Sequence, residues 1–202
     1  MTGNITGNVH QNGGNLVLLG TIVGGNVQIN GGGTFFIASP IDGDLQIQNI
    51  PAGPAQNQVC STTVQGNLQF QNNGNAVQIG SASPPPSCTG NTIGGNLTIQ
   101  NNTAATTVVG NTVGNNLTVQ NNTAATIVDS NTVTGNLQSQ NNTAATIVDG
   151  NIVTGNLQSQ NNTASTQVFN NTVTQNLQCQ NNSSLTGGGN TAKKKQGQCA
   201  AF

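Results

Sequence analysis

The sequence predicts an all-β fold, a single-stranded β-helix (β-solenoid) of about ten rungs stacked along one axis. Three observations carry that expectation. A block of 20 residues recurs almost unchanged through the second half of the chain. Within each block, apolar and polar residues alternate with the period of a half-buried strand. The columns aligned by the repeat each hold one kind of side chain, as stacked rungs require.

The repeat is clearest in residues 91–110 (NTIGGNLTIQNNTAATTVVG), 111–130 (NTVGNNLTVQNNTAATIVDS), 131–150 (NTVTGNLQSQNNTAATIVDG) and 151–170 (NIVTGNLQSQNNTASTQVFN). A fifth block opens at Asn171 with NTVTQNLQCQNNSS and then decays. The motif of a small or polar residue, then Asn or Asp, then Val or Leu carries the series to the N-terminus. Its apolar residue falls at Val9, Val27, Leu45, Leu68, Leu97, Leu117, Leu137, Leu157 and Leu177, with spacings of 18, 18, 23, 29 and then 20 four times. The two long spacings coincide with Pro-rich stretches, expected as loop insertions at residues 50–59 and 80–89. The chain then reads as one solenoid domain over residues 1–202, closed by a cap at 183–202.

After each Leu the side chains alternate: Leu137 in, Gln138 out, Ser139 in, Gln140 out. The second inward column reads Ile29, Ile47, Phe70, Ile99, Val119, Ser139, Ser159, Cys179, all apolar or small. A helix needs apolar residues at i, i+3, i+4 and i+7, which are missing. A β-sandwich gives no reason for an identity period of this kind. The apolar recurrence at every sixth position of left-handed hexapeptide coils is absent, so a right-handed coil is the default.

At about 4.8 Å between rungs, stacked amides hydrogen-bond along the axis. Two ladders are expected, one of Asn96, Asn116, Asn136, Asn156 and Asn176, the other of Gln100, Gln120, Gln140, Gln160 and Gln180. The Asn ladder is expected at a corner, where Asn tolerates left-handed backbone angles. Gly66, Gly95, Gly135 and Gly155 precede it, expected there for the same reason. Asp44 in IDGDL takes the place of a ladder Asn.

The composition is amide-rich and almost free of charge. There are 35 Asn and 22 Gln but only four Asp and three Lys, with no Arg, Glu, Trp or Tyr. Such a composition usually gives a disordered tract, yet disorder lacks regularly spaced Leu and β-branched residues. A net charge of −1 leaves no basic patch for phosphates, which excludes nucleic acid as a partner; Lys193–Lys195 is the only cationic run. No stretch is long and apolar enough for a membrane span. The start MTGNITGN lacks the basic and apolar regions of a signal peptide, so export implies a leader already removed.

Four cysteines fit the register in pairs. Cys60 lies eight residues before Leu68 and Cys88 nine before Leu97, at nearly the same point of adjacent turns. Cys179 and Cys199 are one 20-residue period apart, so a final full rung from Asn190 stacks one on the other. Disulfides Cys60–Cys88 and Cys179–Cys199 are expected, and with them an oxidising, extracellular or cell-surface location. Zinc is the competing reading, but there is no CxxC and no nearby His.

Candidate chemistry is sparse. Asp129 and Asp149 share a column on neighbouring rungs and resemble an acid–base pair, but no Arg, Lys, Tyr or His recurs beside them. His10 stands alone. The calcium nona-repeat GGxGxD and the nucleophile motif G-x-S-x-G are both absent. No catalytic, cofactor or metal residues are therefore assigned, and an enzyme is not expected. Thr103, Thr123, Thr143, Thr163 and Thr106, Thr126, Thr146, Thr166 form two columns of the kind that ice-binding solenoids display. Their spacing of three, in TAAT, points them to opposite faces of a straight strand. The sequons at Asn101–Thr103 and its repeats follow from the NNT consensus alone.

The runs GNITGNV, GGNVQI and GGNLTI resemble a group of uncharacterised secreted bacterial proteins with G-N-V/L repeats and a Cys-bearing C-terminal turn. NLQCQNN followed by GGGNTAKKKQGQC is similar to that ending, and the likeness covers most of the chain. A second likeness, to bactofilins, covers residues 4–48, where the period is 18. It implies end-to-end polymerisation, although bactofilins are cytoplasmic and lack these paired cysteines. With an N-terminal rung that runs straight into the coil and little charge to hold copies apart, the expected function is structural. The chain is expected to associate with itself, head-to-tail or laterally, in a fibre, sheath or surface coat. Binding of ice or glycans is the alternative.

Overall fold

The computed structural model describes residues 3–54, 57–81 and 88–202. It is a parallel β-solenoid of about nine turns. A complete turn contributes three strands, for example Thr92–Ile93, Leu97–Gln100 and Thr106–Val109. Each pairs in parallel with its equivalents one turn before and after, so the coil has three faces.

The first face stacks nine strands, from Val9–Asn12 to Thr172–Gln180. Its register is the Leu column read from the sequence. Val9 lies opposite Val27, Val27 opposite Leu45, Leu45 opposite Leu68 and Leu68 opposite Leu97, across both long spacings. The second face also has nine strands, from Leu16–Leu19 to Ser184–Gly188. The third consists of two-residue strands, Thr63–Val64 through Ile152–Val153. The long strand Thr172–Gln180 runs through the bend between third and first faces and joins them into one sheet.

Four inward columns form the core: the Leu series, the Ile47–Phe70–Ile99–Val119 series, the Val108–Val128–Val148–Val168 series and the Val113–Val133–Val153 series. Burying each such side chain contributes about 1.5–3 kcal/mol. The second column narrows towards the C-terminus, from Phe70 to Ser139 and Ser159, both 0 % exposed. An interior this thin needs more than apolar contact, and the amides described below supply it.

Two corners turn through left-handed residues. Between the first and second faces stand Asn72, Asn101, Asn121, Asn141, Asn161 and Asn181, with φ between 53° and 57°. Between the second and third stand Gly110, Ser130, Gly150 and Asn170, with φ from 52° to 69°. The expectation that the Asn96 column and its preceding glycines occupy left-handed positions is therefore corrected. That bend has no positive φ, and its glycines serve close approach. A Cβ on Gly66 would lie 2.3 Å from Asp44 Oδ1, and one on Gly155 2.5 Å from the carbonyl oxygen of Gly135.

The first expected insertion is shorter than residues 50–59. Ile50 is buried, and Asn57–Val59 is a strand of the second face that pairs with Phe35–Ala38 and Val77–Gly80. Residues 55–56 and 82–87, within the two insertions, lie outside the described residues.

The last rung also departs from expectation. Thr191–Gly197 pairs with Thr172–Gln180, and a register shift between Val173 and Asn176 sets Leu177 opposite Lys195 and Cys179 opposite Gly197. The final turn is thus 18 residues long at this point, not 20. Cys199 falls past the strand, in the 3₁₀ turn Gln198–Ala201, and reaches Cys179 from there.

Candidate functional site: amide ladders and the first face

The Asn column at the bend is a continuous ladder. The backbone N–H and the Nδ2 of Asn96 both donate to Oδ1 of Asn67, at 2.9 and 3.1 Å. The same pair of bonds links Asn116 to Asn96, Asn136 to Asn116, Asn156 to Asn136 and Asn176 to Asn156. Upstream, Asp44 takes the Asn place: its N–H donates to Asn26 Oδ1 at 2.8 Å and its Oδ1 accepts from Asn67 at 2.7 Å. A carboxylate fits because this rung of the ladder needs only an acceptor and the backbone donor.

The Gln column bonds over part of its length. Nε2 of Gln71, Gln100, Gln120 and Gln140 donates to Oε1 of the preceding member, at 2.7 to 3.0 Å. Gln160 and Gln180 keep the register without a bond along it. There the stacking moves two residues towards the bend, where Gln138 donates to Gln158 at 3.1 Å.

Two further ladders are buried, and the sequence reading missed both. One runs through Asn73, Asn102, Asn122, Asn142, Asn162 and Asn182 and ends on Gln198 Oε1; the other runs through Asn91, Asn111, Asn131, Asn151, Asn171 and Asn190. All twelve Asn are at most 5 % exposed. Their donors point towards the C-terminus, opposite to the bend ladder. Each Nδ2 also reaches back to a core-strand carbonyl, as Asn131 does to Val108 O at 2.9 Å. These bonds satisfy the corner amides that water cannot reach. The signal was available, since both positions are Asn in every block from residue 91 onward.

Both disulfides form as paired in the sequence reading, Cys60–Cys88 with Cα atoms 5.5 Å apart and Cys179–Cys199 with 5.2 Å. The ends of the coil differ. Among the described residues, Val9–Asn12 pairs with Val27–Asn30 and Leu16–Leu19 with Phe35–Ala38. The last rung is closed by the disulfide, by exposed Lys193 and Lys194, and by Lys195, whose Nζ donates to Phe202 O.

Asp129 and Asp149 do stack in register. Their partners are neutral, Ser130 Oγ at 2.8 Å and Asn170 Nδ2 at 3.0 Å respectively. His10 is exposed and contacts Gln28 Oε1 at 3.1 Å. No group of three His, Cys, Asp or Glu side chains suited to a metal occurs among the described residues. Of the two Thr columns, Thr103, Thr123, Thr143 and Thr163 are exposed. Thr106, Thr126, Thr146 and Thr166 are buried, with Oγ1 on the carbonyl two residues before. A flat double row of Thr does not form on that segment.

What remains is the outer surface of the first face. Its outward positions over nine strands are Gln, Asn or Thr, with His10 the single exception, and no Asp or Lys stands among them until Thr191–Gly197. Along the bend this face sinks into a groove of about 360 Å³ that follows the Asn ladder across four rungs. No protein-family model, curated protein or solved structure matches this chain.

Proposed function

We propose that the chain is an extracellular structural protein that associates with itself, laterally through the first face, as a subunit of a fibre, sheath or surface coat. The observation that carries this reading is the charge-free amide lattice of that face. A charged side chain on a sheet face must be desolvated before a second copy can pack on it, which opposes face-to-face contact. The outward positions of Val27–Asn30, Leu68–Gln71, Leu97–Gln100 and their successors carry none. Gln and Asn arrays in register instead offer donors and acceptors at one spacing to an identical array.

Two further features support it. Val17 and Leu19, 54 % and 59 % exposed on the second face, and Ile22 at 43 %, put apolar side chains on the outside of the first rung, a second contact for association. The two disulfides fit an oxidising exterior, where a coat operates. The likeness of the G-N-[VIL] runs to polymerising coils supports self-association, although the contact it implies is end to end. The capped last rung, with its three lysines, favours side-by-side contact over a continuous head-to-tail stack. Negative-stain electron microscopy across a wide concentration range tests the reading. Sheets or bundles of aligned rods that grow with concentration support it, and isolated short rods throughout refute it.

A further inference from the structure

We infer that the groove at the bend binds a linear, uncharged polysaccharide laid parallel to the solenoid axis, about one sugar per rung. The groove wall belongs to the same first face that the proposed association uses, so a glycan and a second copy compete for it, and occupancy is tested on single molecules. Its floor is the ladder Asn67, Asn96, Asn116 and Asn136, and its wall is Gln69, Thr98, Thr118 and Gln138. All of these side chains are half-buried, and none is apolar or charged.

The chemistry of the lining selects the ligand. Each floor Asn has two Nδ2 hydrogens, and the ladder uses one of them. The hydroxyls of Thr98 and Thr118 and the amide of Gln69 have no hydrogen-bond partner among the described residues. Every rung thus offers free neutral donors and acceptors at one height, repeated at about 4.8 Å along the axis. A ligand that satisfies them needs hydroxyls or amides at a comparable advance along the axis. An extended, equatorially linked glycan supplies hydroxyls on every sugar, with successive sugars turned over so that opposite edges meet the groove in alternation. A peptide brings side chains that need apolar pockets, and no apolar residue lines this groove. An anionic polymer meets no cation here and meets the carboxylate of Asp44 one rung above Asn67. Without an aromatic residue to stack on a sugar ring, affinity rests on hydrogen bonds and accumulates with ligand length.

The test is isothermal titration of neutral β-linked gluco-, xylo-, manno- and N-acetylglucosamine oligosaccharides of increasing length, with oligogalacturonate as the anionic comparison. The full chain is used at a concentration where sedimentation shows single molecules, so failure here is separate from failure of self-association. At least one neutral series is expected to bind, with affinity that rises until about four sugars and then levels off, the length of the groove. The double variant Thr98→Val, Thr118→Val keeps side-chain shape and removes two hydroxyls. It is expected to weaken binding about tenfold or more. Thr107→Val, on the second face, leaves binding unchanged, and circular dichroism verifies that both variants fold. Failure of every neutral series, equal binding by the anionic series, or full binding by the double variant overturns the inference.

Discussion

The Oδ1 of Asn162 accepts two hydrogen bonds from Asn142 one rung away, from its backbone N–H and from its Nδ2, both at 3.0 Å, in a core where each residue is 0 % exposed. Asn142 repeats the arrangement with Asn122, and its Nδ2 also lies 3.3 Å from Val119 O and from Ser139 Oγ. One amide thereby ties three rungs together at the point where the apolar core is thinnest.

Asn142→Ala removes the acceptor for both donors of Asn122 and leaves Val119 O without its amide. Several buried polar groups become unsatisfied at once, for an expected loss of about 4 kcal/mol. Asn136→Ala cuts the half-buried bend ladder, where water replaces the lost partner, and is expected to cost about 1 kcal/mol. Urea unfolding followed by circular dichroism measures both. Equal losses, or a larger loss for Asn136→Ala, contradict the ranking of the two ladders.

Asn121 turns its corner at φ 55°, and its side chain makes no ladder bond. Asn121→Gly is expected to leave the melting temperature nearly unchanged, because glycine takes this conformation freely. Asn121→Ala is expected to cost about 1 kcal/mol from the crowding of its Cβ. A melt in which Ala is as stable as Gly means that this corner relaxes out of the left-handed region.

Replacing Cys179 and Cys199 together by Ser frees the last rung. A cross-link over a loop of this length contributes about 3 kcal/mol. In a stacked array each rung depends mainly on its neighbours, so the loss should stay local. Hydrogen exchange is expected to speed up over residues 183–202 and to stay slow at Leu97–Gln100. Uniformly faster exchange along the chain would show that the cap holds the whole coil.

Much of this architecture is legible in the sequence because the repeat aligns residues whose roles are unambiguous. Leu97 over Leu117 sets the register, and Leu68 carries it across both long spacings because the strand pattern resumes unchanged on either side. The cysteines pair because their offsets from that column match. The buried ladders are harder to see, since Asn102 and Asn111 are polar and read as surface; only their invariance from block to block marks them as stacked inside. The left-handed corners were displaced for a related reason. Asn96 and Asn101 are both near turns, and sequence alone does not show that one bend is made by close approach while the other needs positive φ. The shortened last rung follows from a register shift beside Gln175 that has no sequence signature. The groove was not legible at all, because it arises from how the bend ladder and the outward column of Gln69, Thr98, Thr118 and Gln138 line up in space.

The central claim is that an uncharged first face brings copies together, and Gln160 tests it most directly. Its side chain is half-buried on that face and carries no ladder bond, so substitution leaves the stack intact. Sedimentation velocity should show wild-type protein forming larger particles as concentration rises. Gln160→Lys and Gln160→Glu should each shift that assembly to concentrations about tenfold or more higher, since either charge must be desolvated at the contact, whereas Gln160→Thr should not. Assembly that is indifferent to a charge of either sign, or a wild-type protein that remains a single molecule throughout, would contradict the account.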